Sequence, residues 1–236
     1  MGDFAQSVQT AFDLLRQADP GLLRIVALTL AVSGSACAIG ALIGTAAGAW
    51  LAVTSFPGRR VLVAALNTLL ALPSVVVGLV VYLLLSRSGP LGSWGLLFTP
   101  SAMVMAQTVL VLPVVTALTR QLVADGLREA ADPLRSMGAR PFTAAALMLL
   151  HERWALLTVL LTAFGRAISE VGAVMIVGGN IDGLTRVITT TIALETSKGD
   201  LPLALALGLV LIGVVALINA AIALAQRTRS TLVSTP

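Results

Sequence analysis

Between Trp154 and Ile181 the chain is apolar except for two charges, Arg166 and Glu170. A charge at mid-membrane costs about 2.5 to 3.5 kcal/mol on insertion scales, so both must face protein or water rather than lipid. Four residues apart on a helix they share a face and can pair, although arginine ahead of glutamate is the less favoured order. A structural tether and a gate or pathway lining both fit such a pair. Just beyond it, Gly178, Gly179, Asn180, Arg186 and the run Thr189 to Thr191 offer backbone N–H groups, hydroxyls and one guanidinium. These donors suit a dianion that is shedding its water. Glycine and asparagine also end ordinary helices, so a capped turn explains the same residues.

Catalysis is not indicated. No nucleophile lies beside a base, and Arg166 with Glu170 lacks a third group in sequence. His151 is the only histidine and Cys37 the only cysteine, which leaves no ligand set for a metal cluster and no intramolecular disulfide. The only lysine, Lys198, is followed by Gly199 and Asp200, and no phosphate-binding G-x-x-x-x-G-K-[ST] loop is present. Catalytic residues, a metal site and a resident cofactor are therefore not expected on this chain, and any ATP must be hydrolysed elsewhere.

The elements that position these residues follow from composition. Only 11% of residues are charged, against roughly a quarter in soluble domains. Stretches free of Asp, Glu, Lys, Arg and His run from Ile25 to Gly58, Val61 to Ser86, Ser88 to Thr119 and Leu201 to Gln226. Each exceeds the roughly 20 residues a helix needs to cross the hydrocarbon core. With Trp154 to Ile181 as a fifth span, the expected fold is all-α, a polytopic membrane protein with five transmembrane helices in residues 21–226. Residues 1–20 hold Asp3, Asp13 and Asp19 and lack the basic-then-apolar order of a signal peptide. Phe4, Val8, Phe12 and Leu15 form a stripe, as in a helix lying on the membrane surface or docked on neighbouring spans.

The formal charge is +4, but the basic residues are scattered through short loops without an aromatic platform, which argues against nucleic acid. Topology accounts for them. With the N-terminus outside, the inner loops and the 227–236 tail hold Arg59, Arg60, Arg120, Arg128, Arg135, Arg140, Arg153, Arg227 and Arg229. The outer side keeps Arg16, Arg24, Arg87, Arg186 and Lys198, as the positive-inside rule prefers.

In the first span Gly40, Gly44 and Gly48 recur every four residues between Ala36 and Ala52. Such a face lets another helix approach closely, which is the source of packing energy in lipid. Pro73 should kink the second span near its middle, and Thr99-Pro100 supplies a cap and first-turn proline for the third. From about 120 to 153 the chain is read as a polar inner loop, too long for a simple turn and therefore functional. Asp132-Pro133 starts a short helix there, Gly138 ends it, and Arg140-Pro141-Phe142 starts another.

That loop is where a family resemblance enters. Anchored on Ser136-Met137-Gly138-Ala139, Asp132-Pro133-Leu134 and Met148-Leu149-Leu150-His151 fall in the slots of the cytoplasmic signature of ABC-importer permeases. Leu72 to Leu79, Arg87 to Gly92 and Phe164 to Ala173 resemble the molybdate, tungstate and sulfate branch. Val177-Gly178-Gly179-Asn180-Ile181 with Thr185 to Thr190 is most similar to its tungstate members. The resemblance implies a type I importer-like permease of a prokaryotic cytoplasmic (inner) membrane, multi-pass, with the C-terminus inside. It implies a coupling helix, carried here by Asp132, Arg135, Gly138 and Ala139, that docks on a cytoplasmic ABC ATPase holding ATP and magnesium. It further implies a second copy of the chain, an extracytoplasmic oxyanion-binding protein and contact with membrane lipid. The substrate it implies is tungstate, with molybdate, sulfate and phosphate as alternatives. An ion-coupled secondary transporter and a membrane scaffold are the rivals from other classes.

Overall fold

A computed structural model describes residues 8–10, 12–13, 16, 20–130, 134, 136 and 138–233, with side chains described as far as 222. Nine α-helices carry the described chain: α1 (Pro20–Val53), α2 (Arg59–Leu69), α3 (Ser74–Leu85), α4 (Pro100–Glu129), α5 (Pro141–His151), α6 (Arg153–Ile168), α7 (Gly172–Gly178), α8 (Ile188–Lys198) and α9 (Leu201–Val233). The protein is all-α and polytopic. Three helices are long and apolar enough to cross a membrane, and counting each of two bent pairs as one span raises the number to five. At about 1.5 Å per residue the 34 residues of α1 outreach the roughly 30 Å hydrocarbon core. In the N-terminal segment Val8 and Phe12 are helical and exposed; Phe4 and Leu15 lie outside the described residues.

The helices sort into two compact units, Thr29–Thr185 and a second made of Met1–Leu28 with Arg186–Pro236. In the first, α1 and α4 lie side by side along the glycine face. A Cβ on Gly40 would meet Val111 at 2.8 Å, one on Gly44 would meet Val115 at 2.8 Å, and one on Gly48 would come within 2.6 Å of the Thr116 carbonyl oxygen. Both partners advance together, so the two helices run parallel in a four-residue register. Leu70, Cys37, Leu118 and Leu160 close over the core of Val111, Val114, Val115, Ala163 and Ala167.

Two expected spans are broken. The second is not a kinked helix: α2 and α3 meet at 102°. Proline lacks an N–H and biases the residue before it away from helix, so Leu72-Pro73 ends one helix, and the Pro73 carbonyl starts the next by accepting from Val76 and Val77. The fourth stops at Ile168 and resumes at Gly172, leaving Ser169 to Val171 outside helix. The inner loop also departs from the polar reading. α5 is apolar, buries Ala144, Ala145 and Met148, and bends by 77° into α6 at Glu152.

In the second unit α8 and α9 form a hairpin. Gly199 turns the chain with φ 85°, and Asp200 Oδ1 accepts from Leu203 N at 3.1 Å to start α9. Leu22, Ile188, Leu207 and Val210 are its core.

Candidate functional site

Glu170 sits at the break between α6 and α7, only 8% exposed. Its Oε1 accepts a hydrogen bond from Ala173 N at 3.1 Å, so the carboxylate caps α7 as an N-cap side chain does. The single helix expected to place Arg166 and Glu170 on one face ends at Ile168, between them. Arg166 lies in the last turn of α6, where a cation complements the helix dipole. Its Nε is buried without a hydrogen-bond partner among the described residues.

Neighbouring helices hold the break in place. The Gln107 amide, 3% exposed on α4, donates to the Ala167 carbonyl at 2.9 Å, adding a second donor to an oxygen that also accepts from Glu170 N at 3.2 Å in the turn that ends α6. On the other side α7 lies against α3. A Cβ on Gly78 would be 2.7 Å from Ala173 Cα, and one on Gly172 would be 2.7 Å from Val75. Gln107 was not singled out from the sequence; an amide inside the apolar run Ser88 to Thr119 was the signal that could have found it.

The turn after α7 is closed by hydrogen bonds within itself, while Asn180 Oδ1 is buried without a partner among the described residues. Gly179 and Asn180 both adopt positive φ, 70° and 50°. The hydroxyl of fully buried Thr185 donates to the Gly178 carbonyl at 2.6 Å and accepts from Ile181 N at 2.9 Å. A Cβ on Gly178 would press on Met103 at 3.0 Å, and one on Gly179 would press on the Phe98 ring at 2.8 Å. Gly178, Gly179 and Asn180 are thus brought together with Thr185. Arg186, Thr189 and Thr190 belong to the other unit. There Thr190 Oγ1 accepts from Val187 N and donates to Val187 O at the start of α8.

The inner loop is a second candidate surface. Leu134 N bonds Ala130 O, Ala139 N bonds Leu134 O, and Gly138 at φ 64° closes this single turn in the manner of a helix C-cap. No described atom lies within 4 Å of a Cβ placed on Gly138, so this corner is open. Leu134 and Ala139 pack with Val123, Ala144, Ala145 and Met148, joined by Ala49, Ala52 and Val53 from the end of α1. The loop thereby packs on the ends of α1 and α4. Asp132 and Arg135 lie outside the described residues.

Comparison with known proteins agrees with this architecture. No family model matches the chain. It is 44% identical over 218 residues to the tungstate uptake system permease protein TupB of Peptoclostridium acidaminophilum, covering 92% of this chain and 96% of that protein. It is 42% identical over 204 residues to a probable anion ABC transporter permease protein of Haloferax volcanii, covering 84% and 88%. Against the sulfate transport system permease protein CysW of Escherichia coli K12 the identity is 34% over 178 residues, 71% of this chain and 60% of that one. The chain belongs to the permease subunits of ABC-type anion uptake systems, the family that holds the tungstate and sulfate permeases.

Proposed function

We propose that this chain is the membrane pathway of a tungstate importer. One observation carries the substrate: the similarity to tungstate uptake permeases reaches 44% and extends over nearly the whole of both chains, whereas it weakens and shortens toward the sulfate permeases. Two copies of the chain enclose the path, an extracytoplasmic binding protein delivers the anion, and paired cytoplasmic ATPases, which hold ATP and magnesium, supply the energy. The N-terminus lies outside and the C-terminus inside, as the arginine distribution favours.

The working cycle is alternating access. Nucleotide closes the ATPases, and their grooves carry the turn around Asp132, Arg135, Gly138 and Ala139. The packing of Leu134 and Ala139 on the ends of α1 and α4 supports this route for the force. The breaks at Pro73 and Glu170 are the places where segments can reorient without unwinding a continuous helix. Glu170 and Arg166 act as the gate or its brace. Gly178, Gly179 and Asn180 are path residues in one unit, and Arg186, Thr189 and Thr190 are path residues in the other.

The test is cellular tungsten and molybdenum content, by mass spectrometry, in a strain deleted for the chain and supplied with trace amounts of each oxyanion. Loss of tungsten alone, restored by a plasmid copy, is the expected result. Loss of molybdenum instead, or unchanged levels of both with loss of sulfate or phosphate uptake, would replace the substrate; no change in any would remove the transport reading.

A further inference from the structure

We infer that one face of α2, carrying Arg60, Ala64, Asn67 and Thr68, lines a water-filled inner half of the anion path. The inference rests on the transport reading above and assigns residues that neither the resemblance nor the relatives single out.

α2 has three faces. Arg59, Val63, Leu66 and Leu70 are the half-buried positions, Arg59 bonded to the end of α1 and Leu70 packed on the core that α4 shares with α6, and no residue of the helix is fully buried. Val61, Leu62, Ala65 and Leu69 form an exposed apolar face. Arg60, Ala64, Asn67 and Thr68, at helical spacing on the third face, are exposed as well. A helix exposed on two sides that keeps its polar groups on only one of them separates two solvents.

Depth decides what those solvents are. Leu70 packs on Val111, Val114 and Val115, near the middle of the apolar stretch of α4, while Arg60 lies at the loop end of α2. Asn67 is one turn from Leu70, so its amide lies within the hydrocarbon thickness. That amide has no hydrogen-bond partner among the described residues. An unpartnered amide facing lipid is strongly disfavoured, and a water-filled cavity is the setting that satisfies it. The Leu62 and Leu69 side suits lipid.

The chemistry of the face suits an anion leaving toward the cytoplasm. Asn67 offers two N–H donors and Arg60 a guanidinium. Thr68 donates its hydroxyl to the Ala64 carbonyl at 3.0 Å. At the foot of the face an open cleft is lined by Ser55, Phe56, Gly58, Arg59, Arg60 and Val61, and Arg59 is held there by its Nε donating to Leu51 O at 3.0 Å. No Asp or Glu occurs between Asp19 and Asp125, so α1 to α4 present no carboxylate to repel a tetrahedral dianion down to Ala124.

The test uses the assembled importer in inside-out vesicles, with Cys37→Ala removing the native thiol. Single-cysteine variants Ala64→Cys, Asn67→Cys and Thr68→Cys, with Leu62→Cys, Ala65→Cys and Leu69→Cys as controls, are treated with a negatively charged, membrane-impermeant thiosulfonate, with and without ATP and vanadate. Labelling confined to the polar face in at least one nucleotide state is expected. Asn67→Leu should lower oxyanion uptake about tenfold or more, the scale of one hydrogen bond to a charged group, with ATPase co-purification unchanged. Labelling with a fall in uptake of an oxyanion other than tungstate would keep this inference and sink only the substrate. Four results overturn it: no labelling in any state, equal labelling of both faces, a labelled face whose Asn67→Leu variant transports every oxyanion normally, or a direct disulfide joining two copies of the Asn67→Cys variant at a position closed to the reagent.

Discussion

The contact of α1 with α4 and the contact of α3 with α7 both rest on glycine, yet they are built for different ends. Along α1 three glycines remove side chains so that two continuous helices can touch along several turns. At α3 and α7, Gly78 and Gly172 bring together two helices that have each just begun after a break. The first contact adds van der Waals packing between stretches of helix away from any helix end. The second brings helix ends into the protein, where side chains bond them: Glu170 takes a free N–H of α7, and Gln107 adds a second donor to the Ala167 carbonyl of α6. We call the first the rail and the second, whose breaks are the proposed points of reorientation, the hinge. Two prolines draw the same line. Pro113 lies buried inside uninterrupted α4, whereas Pro73 stands where the chain turns by 102°.

The largest effect should come from crowding the rail. Gly48→Leu would drive a side chain into the Thr116 carbonyl and Arg120 N, backbone atoms that cannot rotate aside. Overpacking of a tight contact costs about 1 to 3 kcal/mol or more, and a bulky residue against backbone belongs at the upper end. Purification should yield little monodisperse protein, and thermal unfolding in detergent should shift down by many degrees. A Gly48→Leu variant of native stability would show that α1 and α4 are not in contact.

Next in size is the loss of the proposed coupling at the loop that packs on the rail's end. Gly138→Arg places a long side chain at an open corner and forces φ 64° on a non-glycine residue. That conformation costs about 1 to 2 kcal/mol, so Gly138→Asn, which tolerates it better, is the control. Gly138→Arg should abolish co-purification of the ATPase while the bundle stays folded, and Gly138→Asn should retain it. Normal recovery of ATPase with Gly138→Arg would remove the docking assignment.

A smaller, more informative change tests the hinge. Glu170→Ala leaves the N–H of buried Ala173 without its acceptor and should cost about 1 to 2 kcal/mol, the range for a lost cap. Glu170→Gln keeps an acceptor oxygen but removes the charge, so its stability should stay close to the native value. Unfolding curves and uptake measured on both variants separate the two roles. A stable Glu170→Gln that does not transport marks the charge as part of the gate. Instability with residual transport in both marks a brace.

Much of the rail was legible in the sequence, and little of the hinge. Gly40, Gly44 and Gly48 announce a close helix contact by spacing alone, and Thr99-Pro100, Gly138 and Pro141 mark helix ends where the structure has them. Composition along a window is blind to what broke the fourth span. Trp154 to Ile181 is long and apolar enough to cross intact, and the stop at Ile168 depends on a carboxylate that competes for backbone N–H and on an amide reaching over from α4. Both are tertiary facts. α5 was read as part of a polar loop because arginines flank it; its apolar middle is explained by Met148 lying over Gly126, where a Cβ would be 3.1 Å from the sulfur.

The smallest expected effect sharpens the rail most. Gly34 lies on α1 six residues before Gly40, yet no described atom stands within 4 Å of a Cβ placed there. In a helix, alanine is favoured over glycine by about 1 kcal/mol, because it restricts the unfolded backbone. Gly34→Ala should therefore leave the melting temperature unchanged or raise it by a few degrees, against a fall for Gly44→Ala, whose Cβ would sit 2.8 Å from Val115. Thermal unfolding of the two variants side by side, together with uptake, decides the matter. If Gly34→Ala lowers stability or transport, the open space beside Gly34 is filled in the working importer, and the second copy of the chain is the first neighbour to test by cross-linking from that position.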